Sequence, residues 1–329
     1  MKKVFCLFLT CSFVSTALFP QMAVADDIWL TKSTVIDPAA LPLDDQHYND
    51  VPRVQYIYTC DPKHYFNIPL GSSKSGPWIH GLTWDFTQKP FVRGSVSWSN
   101  AVFTISTTST VRILTGNGLP VGVKTGIFPV QKNDPAYIYD PNPNAIKEHA
   151  VTISLPLNPL VAKAPSCLTP VIGYTLDGTM LQFALSSMMG HDEIAYEMQD
   201  MCGGMSDPAG FYHRHTLSKC TPHISESNAL VGYALDGFGI FSPYDASGKE
   251  LTTKDLDECH GTTTPILWDG KAVNMYHYVL TRDYPYTIGC FRGTPSYQAL
   301  PPPPLLARIF SFFILLQQNV TKFLNGLHF

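Results

Sequence analysis

A hexapeptide that occurs twice constrains this chain more than any other feature. Gly173-Tyr174-Thr175-Leu176-Asp177-Gly178 returns as Gly232-Tyr233-Ala234-Leu235-Asp236-Gly237, identical at five of six positions. The landmarks after each copy keep one order. First comes a Cys followed by Gly (Cys202-Gly203 and Cys259-His260-Gly261), then a Tyr-His pair (Tyr212-His213 and Tyr276-His277), then another Cys (Cys220 and Cys290). The units 173–220 and 232–290 are too short to bury a core alone, so the two are expected to pack on each other about a pseudo-twofold axis that brings equivalent landmarks together.

Within each unit, Leu-Asp-Gly reads as a strand running into a turn, with Asp bonding the backbone two residues on and Gly supplying a positive φ. Asp177 and Asp236 therefore have a structural reading first, and Asp236 is also a candidate for lining a ligand site. In Tyr212-His213-Arg214-His215 the strand alternation puts His213 and His215 on one face and Tyr212 and Arg214 on the other. Two imidazoles about 7 Å apart on a strand can share one metal ion. His277 of Tyr276-His277-Tyr278-Val279 holds the place of His213 in the second unit and would complete a three-His centre for Zn²⁺ or Cu²⁺ with one open position. His260 is a further candidate ligand, and Tyr212, Tyr276 and Tyr278 are expected to line the same space. Glu197 and Glu258 are the carboxylates nearest these motifs and are candidates for orienting a ligand or acting as a base. The opposing reading is that His beside Tyr in a β-rich core is simply buried and hydrogen-bonded.

The composition fits this picture. A chain of 329 residues with 45% hydrophobic and only 15% charged content folds around a sizeable core, and 27 Pro with 23 Gly predict a mainly β fold with short helices. The formal charge of −4 is dispersed, which argues against a nucleic-acid partner. Lys2 and Lys3, the apolar run Val4 to Phe19 and Ala23-Val24-Ala25 have the three parts of a secretory signal over residues 1–25, predicting a periplasmic or extracellular protein. The remaining cysteines, Cys60, Cys167, Cys202, Cys220, Cys259 and Cys290, contain no C-x-x-C pair, so disulfides are expected rather than thiolate metal sites. The recurring landmarks predict Cys202 with Cys220 and Cys259 with Cys290, which leaves Cys60 with Cys167.

Residues 26–110 read as a β-rich region, with Val96 and Trp98 alternating against Ser95, Ser97 and Ser99 in a half-buried strand. A Pro-rich spacer over 295–304 precedes a predicted amphipathic helix over 305–329, whose stripe runs from Leu306 through Phe313 to Leu327. That helix is too short and polar to span a bilayer, and is read as docking on the body of the protein, on a membrane surface or on a second copy. No G-x-S-x-G elbow, Gly-rich phosphate loop or H-E-x-x-H helix is present in the sequence.

Cys202-Gly203-Gly204, Gly210-Phe211-Tyr212-His213-Arg214-His215, Val231 to Phe238, Leu256-Asp257-Glu258-Cys259 and Asp283 to Gly293 together resemble the YHYH-domain proteins. Echoes at Thr125-Gly126-Ile127-Phe128-Pro129, Asn142-Pro143-Asn144 and Leu155 to Pro159 extend the resemblance over about Val111 to Gly293, so a domain of 111–294 is expected. The resemblance implies exported proteins without an established activity. Similar proteins show Tyr-His-Tyr-His at both boxes and a His after Cys-Gly-Gly, whereas this chain has Arg214, Val279 and Met205 there. If those histidines are ligands, two are missing here. Three readings stay open: a metal-binding module, a metal-dependent hydrolase using Glu197 or Glu258 as base, and a disulfide-stapled structural or interaction domain. The small-molecule ligand, if there is one, is not readable.

Overall fold

The computed structural model describes residues 33, 35–62, 76–185 and 190–296. The expected signal segment, the C-terminal helix and nearly all of the Pro-rich spacer lie outside them. The described chain is mainly β, as expected, with short helical turns such as α1 (Glu193–Tyr196).

Small sheets occupy the first half. β1 (Leu41–Pro42), β4 (Ile79–His80) and β5 (Thr83–Trp84) form one, and β2 (Tyr48–Asn49) pairs in parallel with β3 (Ile57–Tyr58). β6 (Val96–Ser97) pairs with β9 (Lys124–Thr125), while β7 (Phe103–Thr107), β8 (Val111–Gly116) and β10 (Val151–Pro156) form an antiparallel sheet in the order β10-β8-β7. Trp78, Trp84 and Phe86 from this region are buried in the same apolar cluster as Ile194, Met198 and Tyr286, and Trp78 Nε1 donates to the Ala195 carbonyl at 2.8 Å. The N-terminal region thus shares its core with the rest of the described chain.

The remaining strands build one eight-stranded sheet. They are β11 (Val171–Thr175), β12 (Met180–Gln182), β13 (Gly204–Ser206), β14 (Tyr212–Arg214), β15 (Leu230–Ala234), β16 (Gly239–Phe241), β17 (Gly261–Trp268) and β18 (Lys271–Val279). Their order is β13-β14-β12-β11-β15-β16-β18-β17. Read outward from the central antiparallel pair β11 and β15, each wing has a hairpin partner, then a box strand paired in parallel, then an edge strand. The central register is centred on Tyr174 opposite Tyr233, with Gly173 opposite Ala234 and Thr175 opposite Gly232. The turns after the central strands agree too: Gly178 N–H donates to Thr175 O and Gly237 N–H to Ala234 O, both at 2.9 Å, with φ of +81° and +90°.

Three disulfides pair Cys60 with Cys167, Cys202 with Cys220 and Cys259 with Cys290, as the order of cysteines predicts. The second and third tie the turn before each edge strand to the segment beyond each box strand, so each wing carries its own loop closure.

Glycine at 173 and 232 is required by the close approach of the central strands. A Cβ on Gly173 would lie 2.4 Å from Tyr233 O, and one on Gly232 would lie 2.5 Å from Tyr174 O. Gly173→Ala and Gly232→Ala should each lower stability by about 1–3 kcal/mol through forced separation of the backbones. Urea unfolding measures this, and parent-like midpoints in both variants would contradict the central pairing.

Candidate functional site

Buried aspartates hold the box strands in place. Asp200 Oδ1 accepts from Cys202 N–H at 2.8 Å, from Gly204 N–H at 3.1 Å and from the Tyr212 hydroxyl at 3.1 Å. Asp257 Oδ1 accepts the corresponding three bonds in the other wing, from Cys259 N–H, Gly261 N–H and the Tyr276 hydroxyl, each at 3.0 Å. At the Leu-Asp-Gly turns, Asp236 Oδ2 takes the Tyr278 hydroxyl at 2.5 Å, whereas Asp177 Oδ2 takes Arg214 Nη1 at 3.0 Å. Burial pushes the Asp177 carboxyl up, but Arg214 together with Thr175 and Thr179 outweighs it and holds the group below the usual carboxylate range. Asp236 lacks a cation and burial leaves its carboxyl raised. Tyr212, Tyr276, Tyr278 and Asp236, expected to line a ligand space, are therefore buried, with Tyr212 bonded to Asp200, Tyr276 to Asp257 and Tyr278 to Asp236.

The histidines follow from this anchoring. With Tyr212 and Arg214 pulled to the aspartates, strand alternation sends His213 and His215 to the other face, where their rings meet edge to face with centroids 4.9 Å apart. His213 Nδ1 faces Phe211 O at 3.2 Å and His215 Nδ1 faces Phe183 O at 2.5 Å. Both rings are 3% exposed, and burial first, then the neighbouring imidazole at His215, keeps both below the ordinary histidine pKa.

The expected shared ion is corrected by the strand order. The box strands β14 and β18 stand five places apart, roughly 24 Å along the sheet at normal inter-strand spacing, so His277 cannot complete a centre with His213 and His215. Among the described residues, no three His, Cys, Asp or Glu side chains are grouped so as to hold a metal ion. His260 is buried in the second wing, its Nε2 2.9 Å from Thr281 Oγ1 and its pKa pushed down to about 3 by burial. The carboxylate beside the box is Glu193, with Oε1 3.6 Å from His215 Nε2. Glu197 instead accepts from Lys89 Nζ through its backbone carbonyl, and Glu258 places its carbonyl oxygen 3.5 Å from the disulfide sulfur of Cys290.

His277 differs from His213 in its surroundings. Its ring leans on Phe241 with centroids 4.7 Å apart, and it borders a cleft of about 120 Å³ that Ser242, Tyr244, Thr262, Asp255 and Asn228 also line. Sequence reasoning paired His277 with the other box and missed the cleft, because the polar residues around it come from four separate segments.

A second buried polar group was not legible in the sequence. Lys89 Nζ donates to Glu197 O at 2.5 Å and Gln199 Oε1 at 2.6 Å, and burial pushes its pKa down to about 7 against the pull of Asp140, Asp192, Glu197 and Glu193. Asp192, the N-cap of α1, accepts the Tyr286 hydroxyl at 2.7 Å, and burial with Asp44 and Asp45 nearby raises it to about 8. Between about 3.8 and about 8 the folded chain keeps a proton on Asp192 that the unfolded chain has released, so this group costs stability as pH rises through that window. Asp192→Asn should flatten the fall in melting temperature across it, and an unchanged slope would show that Asp192 is not the group responsible.

Residues 152–254 match the family described as YHYH protein, which agrees with the resemblance read from the cysteine, glycine and Tyr-His landmarks. No curated protein and no solved structure matches the chain. The match spans the first wing with β15 and β16 and stops before Asp257 and the second box.

Proposed function

We propose that this chain is an exported, disulfide-stapled binding module whose large sheet is made of two copies of one unit, with a small-molecule ligand held in the cleft beside His277. The duplication is supported by the repeated hexapeptide, the matching strand order of the wings and the same three bonds at Asp200 and Asp257. Export is supported by the signal-like first 25 residues together with three disulfides, and no helix among the described residues is long and apolar enough to cross a membrane.

The observation that carries the binding reading is the difference between the two box faces. In the first wing the face is closed by His215, where the second wing has Val279, and by Glu193 against it. In the second wing the face opens into a cleft of about 120 Å³, room for a small polar molecule. A single imidazole whose pKa burial lowers, a tyrosine hydroxyl, several Ser, Thr and Asn groups and the carboxylates of Asp245 and Asp255 suit a polar, weakly cationic ligand such as a small amine.

The test uses the purified full chain. Its melting temperature should be unaffected by chelator and by added Zn²⁺ or Cu²⁺, and a panel of polyols and small amines should contain compounds that raise it in the parent but not in His277→Ala. Stoichiometric metal that survives dialysis and is lost in His277→Ala would overturn this reading in favour of a metal centre, and ligand shifts that persist in the variant would move the site elsewhere.

A further inference from the structure

Lys89 and Gln199 bring together the two functional groups that condense into an amide. The Lys89 amine lies 2.6 Å from Gln199 Oε1, both residues are buried, and the carboxamide carbon is one bond beyond that oxygen. In water such a pair is inert, because the amine is protonated and contact is fleeting. Here folding fixes the contact across 110 residues of sequence, and burial leaves a substantial fraction of the amine unprotonated near neutral pH.

The surroundings supply the remaining requirements. Asp140, Asp192, Glu197 and Glu193 act electrostatically on the amine, and of these Asp192 keeps its proton near neutral pH, so the cluster offers both an acid and bases. Lys89 and Gln199 are both shut off from water, at 2% and 3% exposure, and Phe86 stands edge-on to Phe91 at 5.6 Å beside Gln199. Gln199 Nε2 is steadied by Glu193 O at 3.3 Å, and the same residue borders a cavity of about 30 Å³ with Phe86, Phe91 and Thr216, room for one departing ammonia molecule.

We propose that the folded chain joins Lys89 Nζ to Gln199 Cδ in an intramolecular amide bond, releasing ammonia. The Nζ lone pair adds to Cδ while the carbonyl π pair moves to Oε1, where a neighbouring carboxyl donates a hydrogen bond. A carboxylate carries the proton lost by Nζ to Nε2. As the carbonyl re-forms, the Cδ–Nε2 bond breaks and ammonia departs. One amide replaces another, nothing is oxidised or reduced, and no co-reactant is consumed. The link would tie the segment after β5 to the turn that precedes Cys202, a cross-link additional to the three disulfides.

The experiment is mass spectrometry of the full chain after refolding, reduction and denaturation. The expected result is a mass short of the sequence by one ammonia, and a protease digest in which the peptide carrying Lys89 is covalently joined to the one carrying Gln199. Lys89→Met and Gln199→Met should each abolish the joined peptide. Where either variant fails to fold, the parent digest decides alone. A disulfide-complete parent whose digest returns Lys89 and Gln199 in separate linear peptides, even after prolonged incubation at mildly alkaline pH, overturns the proposal. So does an ammonia loss that maps to any other residue.

Discussion

The fold rests on carboxylates buried at turns. A buried ionised carboxyl costs several kcal/mol unless donors surround it, so each aspartate dictates where its partners must stand. Asp200 and Asp257 each collect two backbone N–H groups from a Cys-x-Gly turn and one hydroxyl from the first Tyr of a box. That fixes the edge strand, the disulfide-bearing turn and the box strand relative to one another in a single contact. Strand alternation then leaves the box histidines no choice of face. The histidines give the motif its appearance in sequence, while the aspartates and tyrosines do the positioning.

The two wings satisfy the same demand in different ways at the Leu-Asp-Gly turn. Asp236 is met by a tyrosine hydroxyl and by the N–H of Gly293 at 2.9 Å, and Asp177 by the guanidinium of Arg214, which also donates from Nε to Cys202 O at 3.0 Å. Arg214 occupies the position in its box that Tyr278 occupies in the other, so the substitution replaces a neutral donor with a cation facing the same acceptor. A buried ion pair of this kind is costly to break from either side, because the surviving charge has no water to turn to. The first wing buries His213 and His215, while the second keeps a cleft at His277.

Much of the local structure was legible because it depends on short spacings. The turn role of Asp177 and Asp236, the opposed faces of Tyr212-His213-Arg214-His215 and the order of the cysteines all follow from residues a few positions apart or from comparison of the copies. The shared metal centre failed for a physical reason. A recurring hexapeptide says which residues correspond in sequence but not which strands lie at the centre of the sheet. Here β11 and β15 meet at the centre, so the box strands are carried outward and His277 is separated from His213. The Lys89 group escaped notice because its members come from distant segments without any periodic signal, and only tertiary packing assembles Lys89, Asp140, Asp192 and Gln199.

The central claim is that the residue facing each turn aspartate matters as a donor to a buried carboxylate. Equilibrium unfolding of Arg214→Tyr beside Arg214→Met tests it most directly. The tyrosine restores the donor that Tyr278 provides to Asp236, so Arg214→Tyr should keep most of the parent stability, whereas Arg214→Met strands the Asp177 carboxylate and should lose about 3–5 kcal/mol. Equal losses in the two variants, or no loss in Arg214→Met, would contradict the account.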